Sequence, residues 1–174
     1  PIPEVKSVNR VEYLQGFCKD KRVLHLGCDG PLDAKLLGTA ARVYGIDKGP
    51  LERADYAACD LDALAHDTLP VFSEVEVIVC GEVLEHLSNP GWFLTRLKGT
   101  YLGVPVIFTV PHAGAILTKD YVQRHYENVN KDHVAWYSFT TLTTLLRRAG
   151  YEPLNFYWYH GQPFFAEGLI VVAR

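Results

Sequence analysis

The sequence is most informative at first through what it lacks. No apolar run approaches the roughly 18 residues that a membrane-spanning helix needs, which argues against a membrane span. Pro1 and Pro3 stand where the apolar core of a secretory leader would lie, so no leader is read and a cytoplasmic location is expected. A basic excess is also missing: the net charge is -3, and a chain so balanced has no field to attract duplex nucleic acid or an anionic membrane surface. The four cysteines, Cys18, Cys28, Cys59 and Cys80, form no C-x-x-C pair, which excludes a zinc ribbon or a dithiol redox motif and leaves buried reduced thiols as the expectation. There are no repeats, low-complexity stretches or linkers, and the G-x-G-x-x-G fingerprint of nicotinamide-dinucleotide enzymes is absent. Nothing in the sequence signals an oligomeric state.

What is present is alternation. The 174 residues, 48% of them hydrophobic, suit one domain with a sizeable core, expected to span 1–174. Short apolar runs at 23–26, 42–46, 54–59, 75–80 and 104–110 read as buried strands. Helices are expected at 31–38, 89–98 and 138–149, the last two capped by Asn89 and Ser138. Two further β-rich runs, 153–159 and 165–173, flank His160-Gly161-Gln162-Pro163 and read as a terminal antiparallel hairpin. Strands alternating with helices imply an α/β fold with a mostly parallel sheet covered on both faces. Ligands of such sheets bind beyond the carboxyl ends of the strands.

The chemistry-bearing residues fall at those ends. Gly27-Cys28-Asp29-Gly30 follows the first strand, Asp47 the second, Asp60-Leu61 the third and Gly81-Glu82 the fourth. A glycine turn lets a ligand approach the backbone, and the helix after it presents free amides. A carboxylate about 20 residues past such a turn can accept hydrogen bonds from ribose hydroxyls, and Asp47 lies 20 positions after Gly27. Asp60 can hold an exocyclic amine, with Leu61 packing on its ring.

The segments Val23 through Gly30, Tyr44 through Asp47 and Val77 through Leu87, with a closing pattern from His133 to Tyr151, resemble the class I S-adenosylmethionine-dependent methyltransferases. The resemblance runs in family order over about residues 20–174. It implies a Rossmann-like sheet of seven strands, the last antiparallel. It implies S-adenosylmethionine as cofactor, held by Gly27, Cys28, Asp29, Gly30, Asp47, Asp60, Leu61, Gly81 and Glu82. Two departures stand out: His25 replaces a usually acidic residue, and Asp29 and Pro31 replace the second and third glycines of the turn.

Glu82, Glu85 and His86 lie at i, i+3 and i+4 and would share one face of a helix. Carboxylates and imidazoles at this spacing can bind a divalent ion, with His133 or His112 completing the set. The Glu-x-x-Glu-His run followed by Asp132-His133 resembles metal-assisted O-methyltransferases of the ubiquinone-biosynthesis type and those that methylate the 3′-terminal ribose of small RNAs. This implies Glu82, Glu85, His86 and His133 as ligands of magnesium or manganese. In a metal-free version His112 or His133 is the general base, with Glu85 also among the catalytic candidates. The stretch 111–137, rich in aromatic and hydrogen-bonding side chains including Tyr126, is expected to be an acceptor-binding insertion. Only about 20 residues precede the first strand, so an open cleft is expected. The leading expectation is O-methylation of a sugar or other hydroxylated small-molecule or glycan acceptor. N- or aromatic O-methylation of a small metabolite, and a non-catalytic methyltransferase-like binding module, are the alternatives.

Overall fold

The computed structural model describes residues 6–28, 30–50, 52–63, 68–116, 125, 129–161 and 165–174. Its centre is an eight-stranded sheet of β1 (Ser7–Val8), β2 (Arg22–Leu26), β3 (Arg42–Asp47), β4 (Tyr56–Ala58), β5 (Val77–Gly81), β6 (Val106–Pro111), β7 (Pro153–Tyr159) and β8 (Gly168–Ala173). The order across the sheet is β1-β7-β8-β6-β5-β2-β3-β4. All neighbours pair in parallel except those of β8, which runs antiparallel to both β6 and β7. The seven strands expected from the sequence are β2 to β8. The eighth, β1, is a two-residue addition beside β7, with Ser7 opposite Trp158 and Val8 opposite Tyr159.

The strands read as unbroken apolar runs because both faces of the sheet are covered. On one face Leu24, Leu26, Ile78, Cys80 and Phe108 pack with Phe93, Leu94 and Leu97 of α3 (Pro90–Thr100) and with Leu142 and Leu146 of α5 (Phe139–Arg148). On the other face Val23, Val43, Val77, Val79 and Ile107 pack with Leu14 and Cys18 of α1 (Arg10–Cys18) and Leu36 of α2 (Pro31–Leu37). A single turn of helix, α4 (Ala113–Ile116), follows β6. Asn89 and Ser138 cap their helices as their types dictate: the Asn89 side chain accepts from the Trp92 amide, and Ser138 forms a reciprocal capping box with Thr141. Among the described residues no helix is long and apolar enough to cross a membrane.

Two differences from the sequence reading concern the N-terminal segment and the strand bounds. Residues 10–18 form α1, whose Tyr13, Leu14, Phe17 and Cys18 recur at helical spacing and all join the core of that face. The third expected strand contracts to Tyr56–Ala58, and β8 begins at Gly168 rather than at 165.

Gly45, in the middle of β3, is fixed by its neighbours: a Cβ there would lie 2.6 Å from Cys28 Sγ and 3.3 Å from the Tyr56 ring. Cys28 is thus folded down against the sheet, and burial pushes its thiol pKa up to about 12. Gly45→Ala is expected to destabilise the protein by about 1–3 kcal/mol, the usual range for overpacking a filled core. Urea unfolding would measure it, and a change within about 0.5 kcal/mol would show that the Cys28 turn moves aside freely.

Candidate donor and acceptor site

The chain turns from one half of the sheet to the other between β4 and β5, so the connections of β2 and β5 leave in opposite directions. A cleft opens at that switch point, as it must in a doubly wound sheet. Its volume is about 420 Å³, and Gly27, Asp47, Asp60, Leu61, Glu82 and Val83 lie on its walls. Gly27 has φ +70°, and a Cβ there would sit 2.7 Å from Val83 Cγ2. Both the conformation and the space therefore demand glycine. The Gly27 amide donates to Ile46 O at 2.9 Å, tying this turn to the end of β3.

Asp47 ends β3 largely buried, and its Oδ1 accepts the Gly49 amide at 3.3 Å. Asp60 Oδ1 accepts the Asp62 amide, and the Asp62 carboxylate accepts from both the amide and the hydroxyl of Ser88. The loops after β4 and before α3 are thereby braced together. Of the remaining expected donor residues, Cys28, Gly30 and Gly81 are not on the described walls, and Asp29 lies outside the described residues. Sequence reasoning missed Lys48, Asp62, Val83 and Leu87, which line the same cleft; Asp132, read from the sequence only as the residue before His133, lines it too.

Glu82 departs most from expectation. It holds φ +56°, a left-handed conformation uncommon for a residue with a Cβ. Its Oε1 accepts from Tyr159 Oη at 2.8 Å and Thr109 Oγ1 at 2.9 Å, and Arg10 Nη1 lies 3.1 Å away. Burial, and then the negative charge of Glu82 and its hydrogen bond, push the Tyr159 pKa far upward. Arg10 belongs to α1, so the short N-terminal segment reaches the site after all. The signal for it in the sequence was the Asn9 cap, whose side chain accepts the Val11 and Glu12 amides and starts that helix.

The left-handed Glu82 also interrupts the helical face expected for Glu82, Glu85 and His86. Only Leu84–His86 form a turn, of 3-10 type. Glu85, His86 and His133 are brought together, with one ligand atom from each within 4.8 Å of the others. Glu82 and His112 are not part of this group. His86 Nδ1 lies 3.1 Å from Asp132 O, and the His86 and His133 rings meet edge to face with centroids 4.7 Å apart.

Glu85 is fully buried, and neither carboxylate oxygen has a hydrogen-bond partner among the described residues. Burial, and then the like charge of Glu82, push its pKa up to about 8. The His133 pKa is lowered, first by burial and then by His86.

A second cavity of about 310 Å³ adjoins His133, lined also by His112, Asn130, Trp136 and Glu167. His112 is buried, its pKa lowered by that burial, and its ring meets Trp158 edge to face. Its Nδ1 has no partner among the described residues. Of the stretch 111–137, residues 111–116, 125 and 129–137 are described; Tyr126 lies outside them.

A glycine turn, a carboxylate at the end of the next strand and a cleft at the switch point are features of a Rossmann-like fold. The chain matches the methyltransferase domain family over residues 8–155 and belongs to it; it is an S-adenosylmethionine-dependent methyltransferase of class I. No curated protein matches it in sequence.

Solved structures share the fold at low identity. The small RNA methyltransferase HEN1 is 18% identical with TM-score 0.71 over 95% of this chain, which spans only 24% of that protein. An S-adenosylmethionine-dependent methyltransferase from Mesorhizobium loti is 13% identical with TM-score 0.62, covering 94% of this chain and 95% of its own. The 1,6-didemethyltoxoflavin-N1-methyltransferase of Burkholderia thailandensis, solved with its acceptor and S-adenosylhomocysteine, is 15% identical with TM-score 0.67, covering 94% and 77%.

Asp47→Ala is expected to weaken S-adenosylhomocysteine binding by about 1–3 kcal/mol through loss of hydrogen bonds to a ribose. Isothermal titration calorimetry reads this directly, and unchanged affinity would remove Asp47 from the donor site.

Proposed function

We propose that the chain methylates a hydroxyl of a polyhydroxylated acceptor, such as a sugar, with a divalent ion held by Glu85, His86 and His133. The observation that carries this reading is the Glu85 carboxylate, buried without a partner beside two imidazoles. A buried carboxylate left unpaired is costly. A cation is the partner that this donor set fits. Two imidazoles and a carboxylate suit manganese, iron or zinc at least as well as magnesium. An ion there would polarise a coordinated hydroxyl and lower its pKa.

The chain's own residues supply the rest. Gly27, Glu82 and the loop after β5 border the donor's reacting end, Asp47 accepts from its ribose, and Asp60 and Leu61 take the adenine. The triad stands between the donor cleft, on whose wall His86 lies, and the second cavity, on whose wall His133 lies. The methyl group passes from the sulfonium to the acceptor oxygen, the donor leaves as a neutral thioether, and the hydroxyl proton goes to an imidazole. His112, which is not among the ligands, is suited to receive it because burial lowers its pKa and favours the neutral ring. HEN1, which shares the fold, is named as a small RNA methyltransferase.

The same lowered histidine pKa values support a second reading, in which no ion binds and His112 or His133 alone deprotonates a small-molecule nitrogen or phenol. The two readings separate by metal binding. With an ion site, manganese added to the chelator-treated protein is expected to bind with about 1:1 stoichiometry and raise the melting temperature. Glu85→Gln should abolish both effects. A protein that retains no manganese, and that Glu85→Gln simply stabilises by removing an unpaired carboxylate, would establish the metal-free reading.

A further inference from the structure

His25, Asp33 and Arg53 form a polar cluster inside an otherwise aliphatic layer. His25 lies on β2 with 1% exposure, directly opposite Gly45 of β3 and Val79 of β5. Its Nδ1 is 3.0 Å from Asp33 Oδ1, in the first turn of α2. The other Asp33 oxygen accepts from Arg53 Nη1, and Arg53 Nη2 donates to Val43 O at 3.0 Å. The Asp33 amide donates to Gly30 O at 3.1 Å.

One carboxylate thus joins three parts of the chain: the strand below the glycine turn, the helix after that turn, and the connection that leaves β3 just past Asp47. Cys28 lies among these charges; Asp33 and Asp47 raise its pKa and Arg53 lowers it. An ion pair withdrawn in part from water is a poor source of net stability compared with apolar packing. It does fix geometry, because a guanidinium and a carboxylate meet in few orientations. Hydrophobic contacts between the same elements would allow the turn to slide.

We infer that His25, Asp33 and Arg53 are positioning residues for the methyl donor, a clamp that sets the Gly27–Gly30 turn against the Asp47 loop. His25 is thereby accounted for: the acid is supplied from α2 and the strand contributes the donor. The inference rests on the donor reading of the cleft, and the acceptor does not enter it. None of the three residues lies on the described cleft wall, so the clamp acts through the turn and the loop.

The test uses the whole chain and S-adenosylhomocysteine as probe. Arg53→Gln and Asp33→Asn are each expected to weaken its binding by roughly tenfold, the low end of what loss of an outer supporting residue costs. Arg53→Lys should recover part of the loss. Amide hydrogen exchange should quicken at Gly27, Cys28 and Gly49 while β6 and β8 keep their protection, a local change that a general loss of stability would not produce. If Asp33→Asn fails to fold, Arg53→Gln, at a partly exposed residue, decides the matter. Asp47→Ala is run alongside. If it weakens binding and the clamp variants stay within about twofold of the parent, the clamp is refuted. Exchange rising evenly across the whole sheet refutes it too. If Asp47→Ala is also silent, the donor reading itself is what fails.

Discussion

Strands β2 and β5 lie hydrogen-bonded side by side, yet their connections leave toward opposite edges of the sheet. Everything chemical in this molecule depends on that divergence. Two loops that part company over adjacent strands cannot fill the space between them, so a cleft is built into the topology before any side chain is chosen. The apolar strands hold it open because both faces of the sheet are sealed by helices, and the sheet cannot fold inward to close it. Gly27 and Val83 then set its floor at contact distance.

Against this frame, Glu82 works as a junction. Its backbone is held in a conformation that costs on the order of 1 kcal/mol or more, and such residues persist only where the surroundings over-determine them. Here the surroundings are three donors from three elements: Arg10 from α1, Thr109 from β6 and Tyr159 from β7. By drawing Glu82 toward that side, they leave Glu85 to turn inward beside His86 and His133. Two acidic residues three positions apart therefore sit in opposite circumstances, one with an oxygen that gathers two hydrogen bonds and an ion pair, the other without a hydrogen-bond partner among the described residues.

The sequence was legible wherever one local signal sufficed. Continuous apolar runs marked the buried strands, Asn89 and Ser138 marked helix starts, and the acidic residues after successive strands marked the carboxyl edge. Gly27, Asp47, Asp60, Leu61 and Glu82 do share one cleft. What was not legible depends on space or on backbone hand. Tyr159 reaches Glu82 across 77 positions, and Arg10 across 72. No spacing rule joins residues so distant. The grouping of Glu82 with Glu85 and His86 assumed a helix, and a single left-handed residue was enough to break it. The clamp at Asp33 was hidden for the same reason, since Arg53 joins it from 20 positions on.

The antiparallel strand β8 carries a consequence for how the molecule comes together. All six of its residues are buried, and it lies between β6 and β7 although it follows both in sequence. Until β8 is made and inserted, β6 presents an unpaired apolar edge, and β7 has nothing to join it to the rest of the sheet. These pairings span more than fifty residues between β6 and β8, which makes them slow to form. If β2 to β6 pair before β8 is in place, the half-sheet so formed carries an open, apolar rim along β6. Insertion of β8 between β6 and β7 is the step that closes that rim.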